Sequence, residues 1–222
     1  MSLLVKELFR TLQGEGRFAG YPCTLVRLSG CNLRCTWCDT AYAYTGGRAY
    51  RLARLLEKIS RLGADLVLVT GGEPLNQRET PALLQGLLDR GSRVVLETNG
   101  SIDLGAVPAG VVKVADLKGP SSGESRRNRW QNLKHLTRED EVKFVLADER
   151  DYRWAREQIR KRKLDRIARI NLSPVFGRLD PARLAAWMLR DRLPARLNLQ
   201  LHKLIWPEDQ EGLQEKIPKK RR

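Results

Sequence analysis

The chain has 222 residues, 41% of them hydrophobic and 30% charged, with a formal net charge of +15. That length suits one domain with a real core, and that balance excludes a disordered or fibrous chain. No apolar run reaches membrane-spanning length and the amino terminus lacks a signal-peptide pattern, so a cytoplasmic protein with no membrane partner is expected.

Leu4 to Phe9 reads as a short first strand. Gln13-Gly14-Glu15-Gly16 follows, a loop presenting polar side chains with little bulk around them. Thr24 to Leu28 is the next strand and runs into the loop at Gly30; Arg27 within it is costly to bury unless it pairs with an anion or binds one. Arg51 to Leu62 has helical periodicity, with Gly63 as its cap. Asp65 to Thr70 is a buried strand ending in Gly71-Gly72-Glu73-Pro74. Thr80-Pro81 opens a helix, Arg93 to Glu97 is a strand, and Val111 to Val114 leads into Ala115-Asp116-Leu117-Lys118. Gly119 to Arg138 is polar and weakly patterned, which predicts loop or short irregular helices. Then come a strand (Glu141 to Leu146), a helix (Asp151 to Arg162), a strand (Arg166 to Leu172), a helix (Pro181 to Leu189) and a last strand, Arg196 to Leu201, ending at His202-Lys203. The alternation predicts an α/β fold: an open, partial β/α barrel of about six mostly parallel strands, with ligand loops at one edge. Residues 1–207 form that domain, and 208–222 form a charged tail. The basic excess lacks aromatic interleaving and reads as a solvated face; direct nucleic-acid binding is not expected.

The chemistry concentrates in Gly30-Cys31-Asn32-Leu33-Arg34-Cys35-Thr36-Trp37-Cys38-Asp39. Three thiolates spaced C-x3-C-x2-C suit one metal centre. A structural zinc site wants four ligands, and the two histidines, His135 and His202, lie far along the chain. A cubane iron–sulfur cluster held by three cysteines keeps one iron open. Cys23 is a candidate fourth ligand; as a strand residue it reads better as a small buried hydrophobe.

C-x3-C-x2-C, with Trp37 before its last cysteine, resembles the cluster motif of the radical S-adenosylmethionine superfamily. Together with Leu12-Gln13-Gly14-Glu15-Gly16, Thr70-Gly71-Gly72-Glu73-Pro74, Glu97-Thr98-Asn99-Gly100, Asp116-Leu117-Lys118 and Gln200-Leu201-His202-Lys203, it resembles the 7-carboxy-7-deazaguanine synthase family, over residues 4–207. The resemblance implies a lyase of queuosine and 7-deazapurine biosynthesis. It would convert 6-carboxy-5,6,7,8-tetrahydropterin to 7-carboxy-7-deazaguanine with loss of ammonia, by a radical drawn from S-adenosylmethionine. It implies a 4Fe-4S cluster on Cys31, Cys35 and Cys38, and Mg²⁺ at Thr40. Substrate contacts are implied for Leu12, Gln13, Gly14, Glu15, Arg27, Thr70 and His202. S-adenosylmethionine contacts are implied for Trp37, Cys38, Asp39, Gly72, Glu97, Asp116, Leu117, Lys118 and Ser173. A homodimer and an external electron donor of flavodoxin or ferredoxin type are implied as partners. The chain departs from the family by continuing past Trp206-Pro207. Two rival readings are an activating enzyme that makes a glycyl radical on a protein partner and a non-catalytic iron–sulfur carrier. The Gln13–Gly16 loop speaks against the first, and the count of three local cysteines against the second.

Overall fold

A computed structural model describes residues 2–206 and 215–216. In chain order the elements are β1 (Ser2–Leu12), β2 (Pro22–Leu28), β3 (Arg48–Arg51), α1 (Leu52–Leu62), β4 (Leu66–Gly71), α2 (Thr80–Leu88), β5 (Arg93–Thr98) and β6 (Val112–Leu117). They continue with β7 (Glu141–Leu146), α3 (Glu149–Arg162), α4 (Leu164–Ile167), β8 (Arg169–Pro174), α5 (Pro181–Arg190), β9 (Arg196–Leu197), α6 (Leu201–Ile205) and β10 (Glu215–Lys216).

One ten-stranded sheet runs β10-β1-β2-β4-β5-β6-β7-β8-β9, with β3 on β1. From β2 to β9 every pairing is parallel, whereas β1 is antiparallel to β2, β3 and β10. The order is linear, so the sheet is open, and β2 with β4 to β8 supplies the expected parallel strands. Apart from the β10 bridge, the tail expected over 208–222 lies outside the described residues.

Side-chain alternation explains how the sheet makes a site. Val26 and Leu28, Val67 and Val69, and Val94 and Leu96 point to the face covered by α1 and α2, where they join Leu55, Leu83 and Leu84. Phe144, Leu146 and Leu172 do the same under α3 and α5, with Tyr152 and Leu184. The opposite face changes character along each strand. Cys23, Leu25, Leu66, Leu68, Val95 and Val114 form a small apolar floor. Nearer the carboxyl ends of the strands the same face carries Arg27, Thr70, Glu97, Asp116, Lys143 and Ser173. Helix ends follow local chemistry. Gly63 takes φ 68° after α1, Pro81 sits in the first turn of α2, and the Asp148 and Asp180 carboxylates accept from Asp151 N and Ala182 N to start α3 and α5.

The structure departs from the periodicity in four places. β1 is eleven residues long, because it has a partner strand on each side. Arg48–Arg51, too short to show a period, pairs as β3. Residues 164–167 form a helical turn, so the strand expected from Arg166 begins at Arg169. The last strand stops at Leu197, and His202 lies on the short helix α6 rather than at a strand end. The alternating Leu197, Leu199 and Leu201 mimic a strand. Asn198 Oδ1 instead accepts from Gly16 N (2.8 Å) and Leu201 N donates to Gly14 O (3.0 Å), drawing the chain off the sheet edge onto the Gln13–Gly16 loop. As expected, the Gly119–Arg138 stretch is loop with three short 3-10 turns.

Candidate active site

The cysteine loop leaves β2 through Gly30, whose φ of 93° only glycine adopts without strain. Leu33 anchors it in the core, at 2% exposure. Thr36 and Trp37 pin its outer turn to the Pro120–Ser122 turn: Thr36 N donates to Ser122 O (3.1 Å) and Trp37 Nε1 to Ser121 Oγ (3.0 Å). Cys31, Cys35 and Cys38 are free thiols on the wall of one cavity of 310 Å³. Cys31 Sγ accepts from Leu33 N (3.4 Å) and faces Asn99 Nδ2 (3.8 Å), donors that would favour a thiolate there. Burial pushes the Cys31 thiol up and Cys35 to about 11, so metal binding must displace their protons. Among the described residues no three His, Cys, Asp or Glu side chains are gathered as a single-ion site would gather them. Three soft thiols on one wall fit a cubane instead, in which each thiolate meets a different iron. Cys23 is fully buried in the apolar floor, away from that wall, and burial raises its thiol to about 12.

The glycine-rich turn after β4 packs directly behind the loop. A Cβ on Gly72 would lie 2.3 Å from Gly30 O and 2.8 Å from Cys31 Cβ. The Glu73 carboxylate, fully buried, accepts from Leu75 N (2.9 Å), Asn99 N (2.6 Å) and Thr98 Oγ1 (2.9 Å). It thereby ties the ends of β4 and β5 together beneath the cysteines.

Beside Trp37, Lys118 Nζ donates to Asp116 Oδ2 (2.9 Å) and stands 5.4 Å from the indole centroid. Asp116 Oδ1 is buried with no hydrogen-bond partner, an acceptor left to a ligand. Thr40 precedes a 3-10 turn without capping it, and its hydroxyl faces Cys38 Sγ at 3.7 Å.

The far end of the cavity is a polar network. Glu15 accepts from Lys143 Nζ (3.1 Å), Asn198 Nδ2 (3.1 Å) and Gln200 Nε2 (3.0 Å). Gln13 Nε2 and Thr70 Oγ1 approach the two oxygens of Glu97 at 3.5 and 3.4 Å. Arg27 Nε donates to Glu7 Oε2 (2.5 Å). Burial opposes the Arg27 charge, but Tyr42, Glu7 and Glu97 outweigh it, and the guanidinium's pKa is raised. His202 packs so closely on Gly14 that a Cβ there would meet its Nδ1 at 2.0 Å. Burial lowers the imidazole's pKa. Asp39 accepts from Lys203 (2.7 Å) and Gln200 (3.3 Å) at the rim; although burial raises it, those donors hold its carboxyl down at about 2. Ser173 Oγ accepts from Asn198 Nδ2 (2.8 Å).

Of the residues singled out from sequence, Leu12, Gln13, Gly14, Glu15, Arg27, Cys31, Cys35, Trp37, Cys38, Asp39, Thr40, Thr70, Gly72, Glu97, Asp116, Lys118, Ser173 and His202 all line this cavity. Leu117 does not: strand alternation turns its side chain into the core with Phe144 and Val142. Lys143, Asn198, Gln200 and Lys203 also line the site or tie it together and were not singled out. The signal for Lys143 was present, a charge in the apolar strand Val142-Lys143-Phe144-Val145, the same signal that marked Arg27.

An open parallel sheet with a three-cysteine loop at its strand ends defines the radical S-adenosylmethionine class, and residues 25–114 match the model of the Radical SAM superfamily. The 7-carboxy-7-deazaguanine synthase of Chlorobaculum tepidum is 44% identical, over 95% of this chain and 97% of its own. That of Koribacter versatilis is 41% identical, over 94% and 99%. The chain belongs to the 7-carboxy-7-deazaguanine synthase family. In fold it matches the crystal structure of QueE from Escherichia coli, with a TM-score of 0.74 over 90% of this chain and 94% of that one, at 24% identity.

Proposed function

We propose that this chain converts 6-carboxy-5,6,7,8-tetrahydropterin to 7-carboxy-7-deazaguanine with loss of ammonia, within queuosine and 7-deazapurine biosynthesis. Membership of the synthase family supports this reading. The observation that carries it is the one cavity that joins the thiols to a polar end able to hold a pterin acid. When bound, the 4Fe-4S cluster and S-adenosylmethionine supply the one-electron chemistry that starts the ring rearrangement.

The residues divide the remaining work. Cys31, Cys35 and Cys38 hold the cluster. Trp37, Cys38, Asp39, Gly72, Glu97, Asp116, Lys118 and Ser173 hold S-adenosylmethionine, with Leu117 contributing backbone alone. The orphan Asp116 Oδ1 supports this, as an acceptor suited to a ligand hydroxyl or amine. Thr40 binds Mg²⁺ through a hydroxyl not used in capping, which suits a hard cation that keeps most of its waters. Leu12, Gln13, Gly14, Glu15, Thr70 and His202 frame the pterin. Glu7 takes the Nε of Arg27, which leaves the fork of terminal nitrogens for the pterin's carboxylate. Closing the ring among these groups orients it and keeps water from the reacting atoms.

The protein works as a cytoplasmic homodimer with a domain ending near residue 207, and draws electrons from a flavodoxin or ferredoxin. Among the described residues no helix is long and apolar enough to cross a membrane. Anaerobically reconstituted protein, given reductant, Mg²⁺ and S-adenosylmethionine, is expected to turn the carboxypterin into the deazaguanine acid. Cleavage to 5′-deoxyadenosine with the pterin untouched would refute the substrate assignment.

A further inference from the structure

Lys143 lies in the middle of β7, on the cavity face, at 8% exposure. A buried ammonium needs a partner, and Lys143 Nζ donates to Glu15 Oε2 at 3.1 Å. The same oxygen accepts from Asn198 Nδ2, while Oε1 accepts from Gln200 Nε2. A carboxylate has about four acceptor positions, two on each oxygen. Oε2 is therefore filled and Oε1 keeps one position, on a residue that lines the cavity. Lys143 also stands opposite two further carboxylates, Glu97 on β5 and Asp116 on β6. Further charged or titratable groups stand around this pair: Glu97 on β5, Arg27 on β2, His202 and Lys203 on α6, and Asp39, which shares the Gln200 amide with Glu15.

We propose that Lys143 is a positioning residue for the substrate ring. Its ion pair with Glu15 keeps that carboxylate ionised and leaves Glu15 Oε1 as one aimed acceptor for a ring N–H. This rests on the reading that Glu15 meets the pterin's amino and ring N–H edge. Without the ammonium, Glu15 and Glu97 become two buried carboxylates facing one another, and such a pair takes up a proton. A protonated Glu15 turns an acceptor into a donor, which a ring N–H rejects. The Lys143 charge and the Gln200 and Lys143 donors outweigh burial and lower Glu15, and the same Lys143 charge opposes the burial and the Glu15 charge that raise Glu97, so its removal favours protonation of both carboxylates.

The test has a substrate-free arm and a kinetic arm. Carboxyl ¹³C NMR of glutamate-labelled protein should find Glu15 ionised at pH 7 in the wild type, with its pKa held below the ordinary value, and carrying a proton at that pH in Lys143→Met. In anaerobic assays with the carboxypterin varied, Lys143→Met should raise KM roughly tenfold to a hundredfold near pH 7. The loss should shrink as the pH is raised and Glu15 ionises unaided, and Lys143→Arg should recover most of it. Iron content should hold in all variants. The double variant Glu15→Gln with Lys143→Met removes both partners of the ion pair at once, and serves where Lys143→Met alone does not fold. Its KM should equal that of Glu15→Gln alone. An unshifted Glu15, a KM unmoved at every pH, or a further loss in the double variant overturns the proposal. Wild-type protein that leaves the pterin untouched refutes the functional reading instead, while the NMR arm still decides whether Lys143 controls Glu15.

Discussion

Glu73→Gln tests how the ends of β4 and β5 are held beneath the cysteines. Glu73 is fully buried and accepts at both oxygens: Leu75 N reaches Oε1 at 2.9 Å, Asn99 N reaches Oε2 at 2.6 Å, and Thr98 Oγ1 lies 2.9 and 3.0 Å from the two. Glutamine fits the same space but swaps one oxygen for an NH₂ group. Whichever way the amide turns, it points a donor at a donor, at Leu75 N–H or at Asn99 N–H. Thr98 adapts by rotating its hydroxyl; a backbone N–H cannot. One orphaned buried donor costs about 1–3 kcal/mol, and the lost charge adds to that because hydrogen bonds to ions are the stronger ones. Relief of desolvation offsets part, since burial pushes the Glu73 carboxyl up against the pull of those same N–H groups. A net loss of about 2 kcal/mol follows, which in a chain of this size lowers Tm by roughly 4–8 °C. Anaerobic thermal and urea melts of the metal-free protein measure it. Because Asn99 also faces Cys31 Sγ and donates to Asn32 Oδ1 (3.0 Å), iron content after reconstitution should fall as well. A melt within about 1 °C of wild type, with full iron loading, would refute the accounting.

Three other outcomes are expected. Gly72→Ala puts a methyl 2.3 Å from Gly30 O, a backbone atom with nowhere to go, so the cysteine loop must shift and iron loading should drop while helix content by circular dichroism holds. Cys23→Ala should cost about 1–2 kcal/mol in urea melts, through a small cavity, and keep the cluster's visible absorbance; Cys35→Ala should lose it, and equal loss in both would overturn the assignment. His202 has its pKa lowered by burial below the ordinary 6.5, so the unfolded chain takes up this proton first. Stability from the neutral ring is therefore complete above about pH 6.5 and is lost as the pH falls towards the lower folded value; melts of His202→Gln between pH 5 and 7.5 should show a flatter slope than wild type.

Much of the site was legible because strand ends carry it. The residue types that mark ligand chemistry, three close cysteines, paired glycines and charges in apolar strands, stand out against a buried parallel sheet whose other positions are mostly apolar, Val and Leu above all. Lys143 meets the same rule, a charge in an apolar strand, but no motif surrounds it. Gln200 carries no local signal of its own, yet its amide joins Glu15 to Asp39.

The carboxyl-terminal segment shows the limit. Leu197, Leu199 and Leu201 alternate as a strand would, yet the chain bends after Leu197 because the Asn198 and Leu201 bonds reach Gly16 and Gly14, more than 180 residues earlier. No local pattern encodes a partner that far away. The sequence by itself determined the parallel α/β sheet, the three thiols and the loops that end each strand, since periodicity and ligand spacing are local properties. Only the tertiary structure decided that Glu15 meets Lys143, Asn198 and Gln200, that Leu117 faces the core, and that His202 closes on Gly14. Those pairings depend on strand order and register, which bring distant segments to the same face.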